Sequence, residues 1–186
     1  MAKVIVVGGG PAGIMAALTA SKTNEVILVE RNNEIGKKLR LTGGGRCNIT
    51  NNRSIDEFFD KVVTNKKFLY SAFYTFSNDS LLEYLKENNF EYKIEYDNDN
   101  KVYTKSDKAA DIIRLFIDNL EKSNVKVMYD TKVEDLIVED NIIRGIVTSN
   151  GNKILGDKVI ISTGGKSVPA TGSDGSMYDI LSKYGH

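Results

Sequence analysis

The stretch K-V-I-V-V-G-G-G-P-A-G, Lys3 to Gly13, decides how this chain is read. An almost wholly apolar strand runs straight into glycines, and the apolar-rich run of residues 12–20 follows. An unbroken apolar strand is what a central parallel strand, covered on both faces, requires. Gly8, Gly10 and Gly13 fit the G-x-G-x-x-G spacing of a dinucleotide-binding turn. Each has a physical task there: Gly8 turns the chain out of the strand, Gly10 lets a pyrophosphate approach bare backbone, and Gly13 lets helix pack on strand. The helix predicted from Pro11 presents Ala12 in its first turn and points its unpaired N–H groups at the phosphates. Three glycines in six residues also describe an ordinary tight turn, so the context decides. A second strand, residues 25–29, ends in Glu30, which lies 17 positions after Gly13. That is close to where a ribose-binding carboxylate falls.

Working outward, this βαβ unit predicts a right-handed crossover in a parallel sheet. Residues 31–52 contain no convincing strand or long helix, and a loop of that length inside a domain is usually functional. It carries a second glycine cluster, Thr42, Gly43, Gly44, Gly45, Arg46, Cys47 and Asn48, among Lys37, Lys38 and Arg40. Successive glycines permit positive φ and can form an anion-binding concavity; a solvated basic loop is the plainer reading. Residues 54–89 read as a helical insertion dense in aromatics, expected to form a packed core. Two short strands are expected within residues 90–104, a long helix to about Lys122, and a strand at residues 125–128 beside the Glu30 strand. Residues 131–155 read as a small antiparallel β-meander with turns at Asp140-Asn141 and Asn150-Gly151. A buried strand then opens the third glycine patch, T-G-G-K-S-V-P-A-T-G-S-D-G, beginning at Thr163, Gly164 and Gly165, and a last helix spans residues 176–184.

The 186 residues suffice for one domain with a large core. Lys and Arg balance Asp and Glu at 25 each, so no electrostatic footprint for nucleic acid or membrane surface is expected. One cysteine, Cys47, allows no internal disulfide and fits a reducing compartment. No targeting segment, membrane-length apolar run or metal-ligand spacing is present, and a cytoplasmic protein is expected.

In order along the chain stand G-G-G-P-A-G with Glu30, T-G-G-G-R-C-N-I-T-N, I-S-T-G-G-K-S-V-P-A-T-G-S-D-G-S and a closing Y-G-H. Together they resemble a bacterial family of FAD-dependent oxidoreductases containing aminoacetone-oxidase-like flavoproteins and reductases of 3-oxo bile acids, within the two-dinucleotide-binding-domain class that includes fumarate reductases. The resemblance implies an α/β, Rossmann-like FAD-binding domain. It implies that Gly8, Gly10, Pro11, Ala12 and Gly13 hold the pyrophosphate and that Glu30 takes the adenosine ribose. It puts Arg31 and Lys38 beside the ADP half, and Thr42, Gly43, Gly44, Gly45, Arg46, Cys47 and Asn48 along the flavin and ribityl chain. It gives Val133 to the adenine, and Thr163, Gly164 and Gly165 to the far side of the pyrophosphate. Family members run much longer than this chain, which implies an N-terminal portion whose substrate domain and returning segment are missing.

The expected activity is that of a flavin-dependent oxidoreductase acting on a small molecule, such as an amine or an enone, with NAD(P)H as candidate electron donor. An NAD-binding dehydrogenase and an inactive nucleotide-binding fragment are the alternatives. Near the flavin ring, Arg46 is a candidate for stabilising negative charge or for pinning a phosphate. Cys47 reads as a small packed residue rather than a redox thiol, since no second cysteine exists to complete a dithiol cycle.

Overall fold

A computed structural model describes residues 1–186. The chain runs β1 (Lys3–Val7), α1 (Pro11–Ala20), β2 (Glu25–Val29), α2 (Lys37–Leu41) and β3 (Asn48–Asn51). Three helices follow, α3 (Ile55–Asp60), α4 (Lys66–Thr75) and α5 (Asn78–Glu87), then β4 (Tyr92–Glu95), β5 (Lys101–Thr104) and α6 (Ala109–Lys122). The last third holds β6 (Lys126–Met128), β7 (Val133–Glu139), β8 (Ile142–Thr148), β9 (Lys153–Leu155), β10 (Lys158–Ile161) and α7 (Ser176–Ser182). Two units divide the chain: residues 1–39 with 116–186, and residues 40–115.

The first unit is built on a parallel sheet in the order β10-β1-β2-β6. In register, Ile5 sits opposite Ile27 on one side and Val159 on the other. Alternation along each strand splits the apolar residues between two faces. Ile5, Val7, Ile27 and Val29 pack with Val133 and Ile146 of the meander and with Met177 and Ile180 of α7. Val4, Val6, Val26 and Leu28 face the other way and are buried too. Helix α1 packs along this sheet and buries Ile14 and Ala17. Burial on both faces explains why the strands carry no polar alternation, and each such side chain contributes about 1.5–3 kcal/mol. The meander β7-β8-β9 is antiparallel. Its first hairpin turns at Asp140 and Asn141, with φ 51° and 60°, the left-handed pair that a tight two-residue hairpin needs. At Gly145 a Cβ would lie 2.1 Å from the Ile154 carbonyl oxygen, so only glycine admits β9 there.

The second unit holds the antiparallel sheet β3-β5-β4 and helices α3 to α5. Strand β3 corrects the reading of residues 31–52 as strandless. Its sequence N-I-T-N has a single apolar side chain, and pairing with β5 rather than periodicity defines it. The helical block breaks into three because Asn65 adopts φ 54° and because Ser54 and Ser77 each cap a new helix start. Ser54 and Glu57 form a reciprocal capping box that satisfies two backbone N–H groups.

The aromatics of this block do not form the closed core expected of them. Phe59 is buried and gathers Tyr70, Phe73 and Tyr74 at centroid distances of 4.6 to 5.6 Å. Phe68 is 83% exposed and Tyr74 64%, so α4 rests only part of one side on Phe59. Ten non-glycine residues have positive φ, and all but Cys47 are Asn or Asp, whose short side chains tolerate that region best.

Candidate functional site

Strands β1, β2 and β10 run parallel, so their C-terminal ends open on one edge of the sheet. A cleft forms there, with residues of the first unit as its walls. In an open α/β sheet this is where ligands bind. Backbone geometry at β1 makes the floor. The Gly8 N–H donates to the Val29 carbonyl (2.8 Å), and Gly8 itself has φ 108°. A Cβ on Gly8 would stand 2.6 Å from the Ser162 carbonyl oxygen, and one on Gly13 would stand 1.8 Å from that of Gly8. Both glycines are demanded by packing within the protein. Gly10 differs: it is extended, and a Cβ there would meet nothing within 4 Å. Nothing in the chain requires glycine at position 10.

Gly10 is also the N-cap of α1 and contributes no side-chain hydrogen bond, Pro11 occupies the first helical position, and no acidic residue stands in the first turn. The positive end of a ten-residue helix dipole therefore faces the cleft with no acidic residue in its own first turn. Arg31, Lys37, Lys38 and Lys132 add positive charge to the lining.

Glu30 is 7% exposed and sits at the end of β2. Its Oε2 accepts from the Gly9 N–H (2.7 Å), and its Oε1 from the Asn32 N–H (2.8 Å) and from Asn32 Nδ2 (2.6 Å). Three donors fix the carboxylate, and since a carboxylate offers about four acceptor positions, Oε2 keeps capacity for a ligand hydroxyl. Gly9 and Asn32, which hold Glu30 in place, are positions the sequence reading passed over. The middle glycine of G-G-G was the available signal: a Cβ on Gly9 would meet Glu30 Oε2 at 2.9 Å. Gly36 was also passed over; its N–H donates to the Gly9 carbonyl (2.8 Å), at φ 69°.

Residues 163–175 form the opposite wall. Thr163, Gly164, Gly172 and Ser173 line the cleft, as do Ala12, Arg31, Lys38 and the buried Val133. Gly165 lies outside the lining, near the Tyr178 hydroxyl. Ser162 Oγ donates to the Val7 carbonyl (2.9 Å) and ties β10 to the glycine turn. Arg31 Nη1 lies 2.6 Å from Asp174 Oδ2, and its hydrogen bond holds that carboxyl far below the ordinary carboxylate range.

Residues 42–48 belong to the second unit. Gly43, Gly44 and Gly45 all have positive φ. A Cβ on Gly43 would stand 2.8 Å from the Tyr103 ring, whereas Gly44 and Gly45 face open space. The Arg46 guanidinium lies 3.9 Å above the centre of the Tyr103 ring, 2.7 Å from Glu95 Oε1 and 3.5 Å from Asp107 Oδ1. Hydrogen bonds from Asn98 and then Arg46 hold the Glu95 carboxyl below its usual range. Arg46 is thus already paired within its own unit. Cys47 is fully buried at φ 60°, and burial pushes its thiol pKa up. Asn48 is exposed and opens β3.

A parallel sheet with a glycine turn, a strand-end carboxylate and an inserted meander is a Rossmann-like dinucleotide-binding architecture. The chain belongs to the HI0933-like Rossmann domain family, whose model matches residues 2–186. It is 29% identical over 189 residues to a 3-dehydro-bile acid delta(4,6)-reductase of Clostridium scindens, covering 100% of this chain and 44% of that protein. It is 27% identical over 182 residues to a ribosomal RNA dihydrouridine synthase of Escherichia coli, covering 97% of this chain and again 44% of the relative. The chain thus spans less than half the length of these relatives. Among solved structures, a flavocytochrome c3 fumarate reductase superposes with a TM-score of 0.66 at 18% identity, over 88% of this chain and 34% of that one. A 3-ketosteroid-delta4-(5alpha)-dehydrogenase from Rhodococcus jostii RHA1 does so with 0.63 at 18%, over 88% and 46%. At that identity the two structures share the fold alone. No helix is long and apolar enough to cross a membrane.

Proposed function

We propose that the cleft binds FAD and that the chain is the FAD-binding part of a flavin-dependent oxidoreductase. The observation that carries this is Gly10. Its neighbours Gly8 and Gly13 are required by the protein's own packing, but a side chain at Gly10 would meet only open space at the cleft floor. An occupant pressed against that backbone supplies the missing reason for glycine, and an uncapped helix start with basic neighbours suits it to a pyrophosphate.

In this reading Gly10, Ala12 and the first turn of α1 donate to the phosphates. Glu30, held still by Gly9 and Asn32, accepts from the ribose hydroxyls and disfavours a 2′-phosphate. Val133 borders the adenine, and Thr163 and Gly164 border the phosphates from the other wall. Gly165, Arg46, Cys47 and Asn48 are assigned to the cofactor's neighbourhood through family resemblance. FAD supplies two-electron redox chemistry when bound; the chain supplies grip, orientation and charge.

The substrate class we propose is a carbon–carbon double bond conjugated to a carbonyl. The names of the bile-acid and ribosomal RNA relatives both describe saturation of such a bond. A small enone with NAD(P)H as electron donor is the first reading, in a cytoplasmic setting suited to the single thiol. Two relatives named as ribosomal RNA dihydrouridine synthases favour a second, in which the conjugated ring is a base in RNA. The balanced charge that argued against nucleic acid concerns this chain's composition alone.

Titrating FAD into the chain and following flavin fluorescence tests the binding step. Saturation with a dissociation constant on the order of 1 μM is expected. Uptake of NAD without uptake of FAD overturns the reading. Supplying a 3-oxo-4,6-diene steroid or unmodified ribosomal RNA to the FAD-loaded protein with NAD(P)H then separates the two substrates.

A further inference from the structure

Residues 163–175 contain no long helix or strand, yet they are fastened at several points to the segment that follows β2. Arg31 Nη1 pairs with Asp174 Oδ2 at 2.6 Å and donates to the Gly172 carbonyl at 3.3 Å. Asn32 Nδ2 reaches the Thr171 carbonyl at 3.3 Å, and Lys38 Nζ reaches Ser167 Oγ at 3.2 Å. The segment folds back on itself through an antiparallel bridge between Val168 and Ser173, which brings Thr171 and Gly172 against Arg31 and Asn32. A Cβ on Gly172 would lie 3.1 Å from both Arg31 Cδ and Asn32 Nδ2, so the contact is close packing and not merely an ion pair. The fastened stretch also lines the cleft. Asn32 joins both jobs, since the same Nδ2 that reaches Thr171 also steadies Glu30.

On the reading that the cleft holds FAD, we infer that Asp174 is a positioning residue for the cofactor: acting through Arg31, it straps residues 163–175 across the cleft, and dinucleotide release needs this ion pair to open. Arg31 is thereby occupied by the protein and acts on the strap rather than as a phosphate ligand. Asp174 Oδ1 separately accepts the Ser176 N–H at 3.0 Å at the start of α7. Asn at position 174 keeps that hydrogen bond through its amide oxygen and turns an NH2 donor, in place of the Oδ2 acceptor, toward the Arg31 guanidinium, so Asp174→Asn breaks the strap and leaves the start of α7 intact.

The test measures FAD release by recovery of free-flavin fluorescence after dilution, at 50 and 500 mM NaCl, for the native chain, D174N and D174E. The strap predicts release about fivefold faster in D174N at low salt, the scale of one good, partly exposed ion pair. It predicts a salt acceleration of release that is smaller in D174N than in the native chain and largely restored in D174E. Amide hydrogen exchange of the cofactor-free chain gives a second readout: D174N speeds exchange in residues 164–173 and leaves α1 unchanged. A chain that takes up no FAD overturns the proposed function and the cofactor role of Asp174 together. Uptake of FAD with native release from D174N, or unaltered exchange in residues 164–173, overturns the strap alone.

Discussion

Two glycine clusters invite the same interpretation and turn out to be built on different grounds. In residues 8–13 the glycines answer to distance: Gly8 and Gly13 stand where a Cβ would collide with a backbone carbonyl oxygen. In residues 42–48 the glycines answer mainly to conformation: Gly44 and Gly45 have φ 66° and 90° with nothing within 4 Å of a would-be Cβ. A collision with backbone cannot be relieved by a rotamer change, whereas a left-handed φ costs a residue about 1–2 kcal/mol and leaves the neighbours in place. Gly10 fits neither ground, and that exception points to a ligand.

Substitutions can break or sharpen this contrast. Gly13→Ala has the largest expected effect, a loss of about 3 kcal/mol or more from overpacking against an immovable backbone, read as a fall in the denaturant midpoint of the chain. If G13A unfolds at the native midpoint, the distance argument fails. Glu30→Ala comes next. It strands the Gly9 and Asn32 N–H groups and removes the proposed ribose acceptor, at about 1–3 kcal/mol. Both the thermal midpoint and FAD affinity should drop; a loss of affinity alone would mean the three internal hydrogen bonds contribute little.

Gly44→Ala should cost about 1 kcal/mol through backbone strain only. A loss as large as that of G13A would show that residues 42–48 are packed as tightly as the first cluster. The smallest effect concerns Cys47, which should resist alkylation at pH 8 in the native chain and react readily in denaturant. Burial both shields the sulfur and raises its pKa, so the thiolate fraction is low at that pH. Rapid native alkylation would show that the second cluster opens.

Much of the first unit was legible because its signals are local. The apolar runs ending at Val7 and Val29, the turn residues of the meander and the glycine spacing all lie within short windows, and the strand at residues 125–128 does pair with β2. The second unit was less so. N-I-T-N carries almost no hydrophobic signal, and β3 exists because β5 pairs with it. The aromatics of α3 and α4 show helical spacing, but spacing alone could not tell that Phe68 and Tyr74 stand exposed while Phe59 is enclosed. In the site, Glu30 was visible as a strand-end acid, whereas its support by Gly9 and Asn32 needed the turn in three dimensions. Arg31 and Asp174, separated by 143 positions, share no periodicity or motif that could have paired them.

The common edge on which β1, β2 and β10 end makes the cleft a gauge of sheet alignment. Sliding β10 by one residue against β1 shifts Ser162 and Thr163 by about 3.3 Å and takes the Ser162 hydroxyl off the Val7 carbonyl. The same slip turns Val159 and Ile161 away from the core cluster they pack against, so apolar contacts and the cleft are lost together. A ligand gripped there would select the correctly aligned sheet by mass action, favouring it by about 2.7 kcal/mol at a hundredfold excess over its dissociation constant.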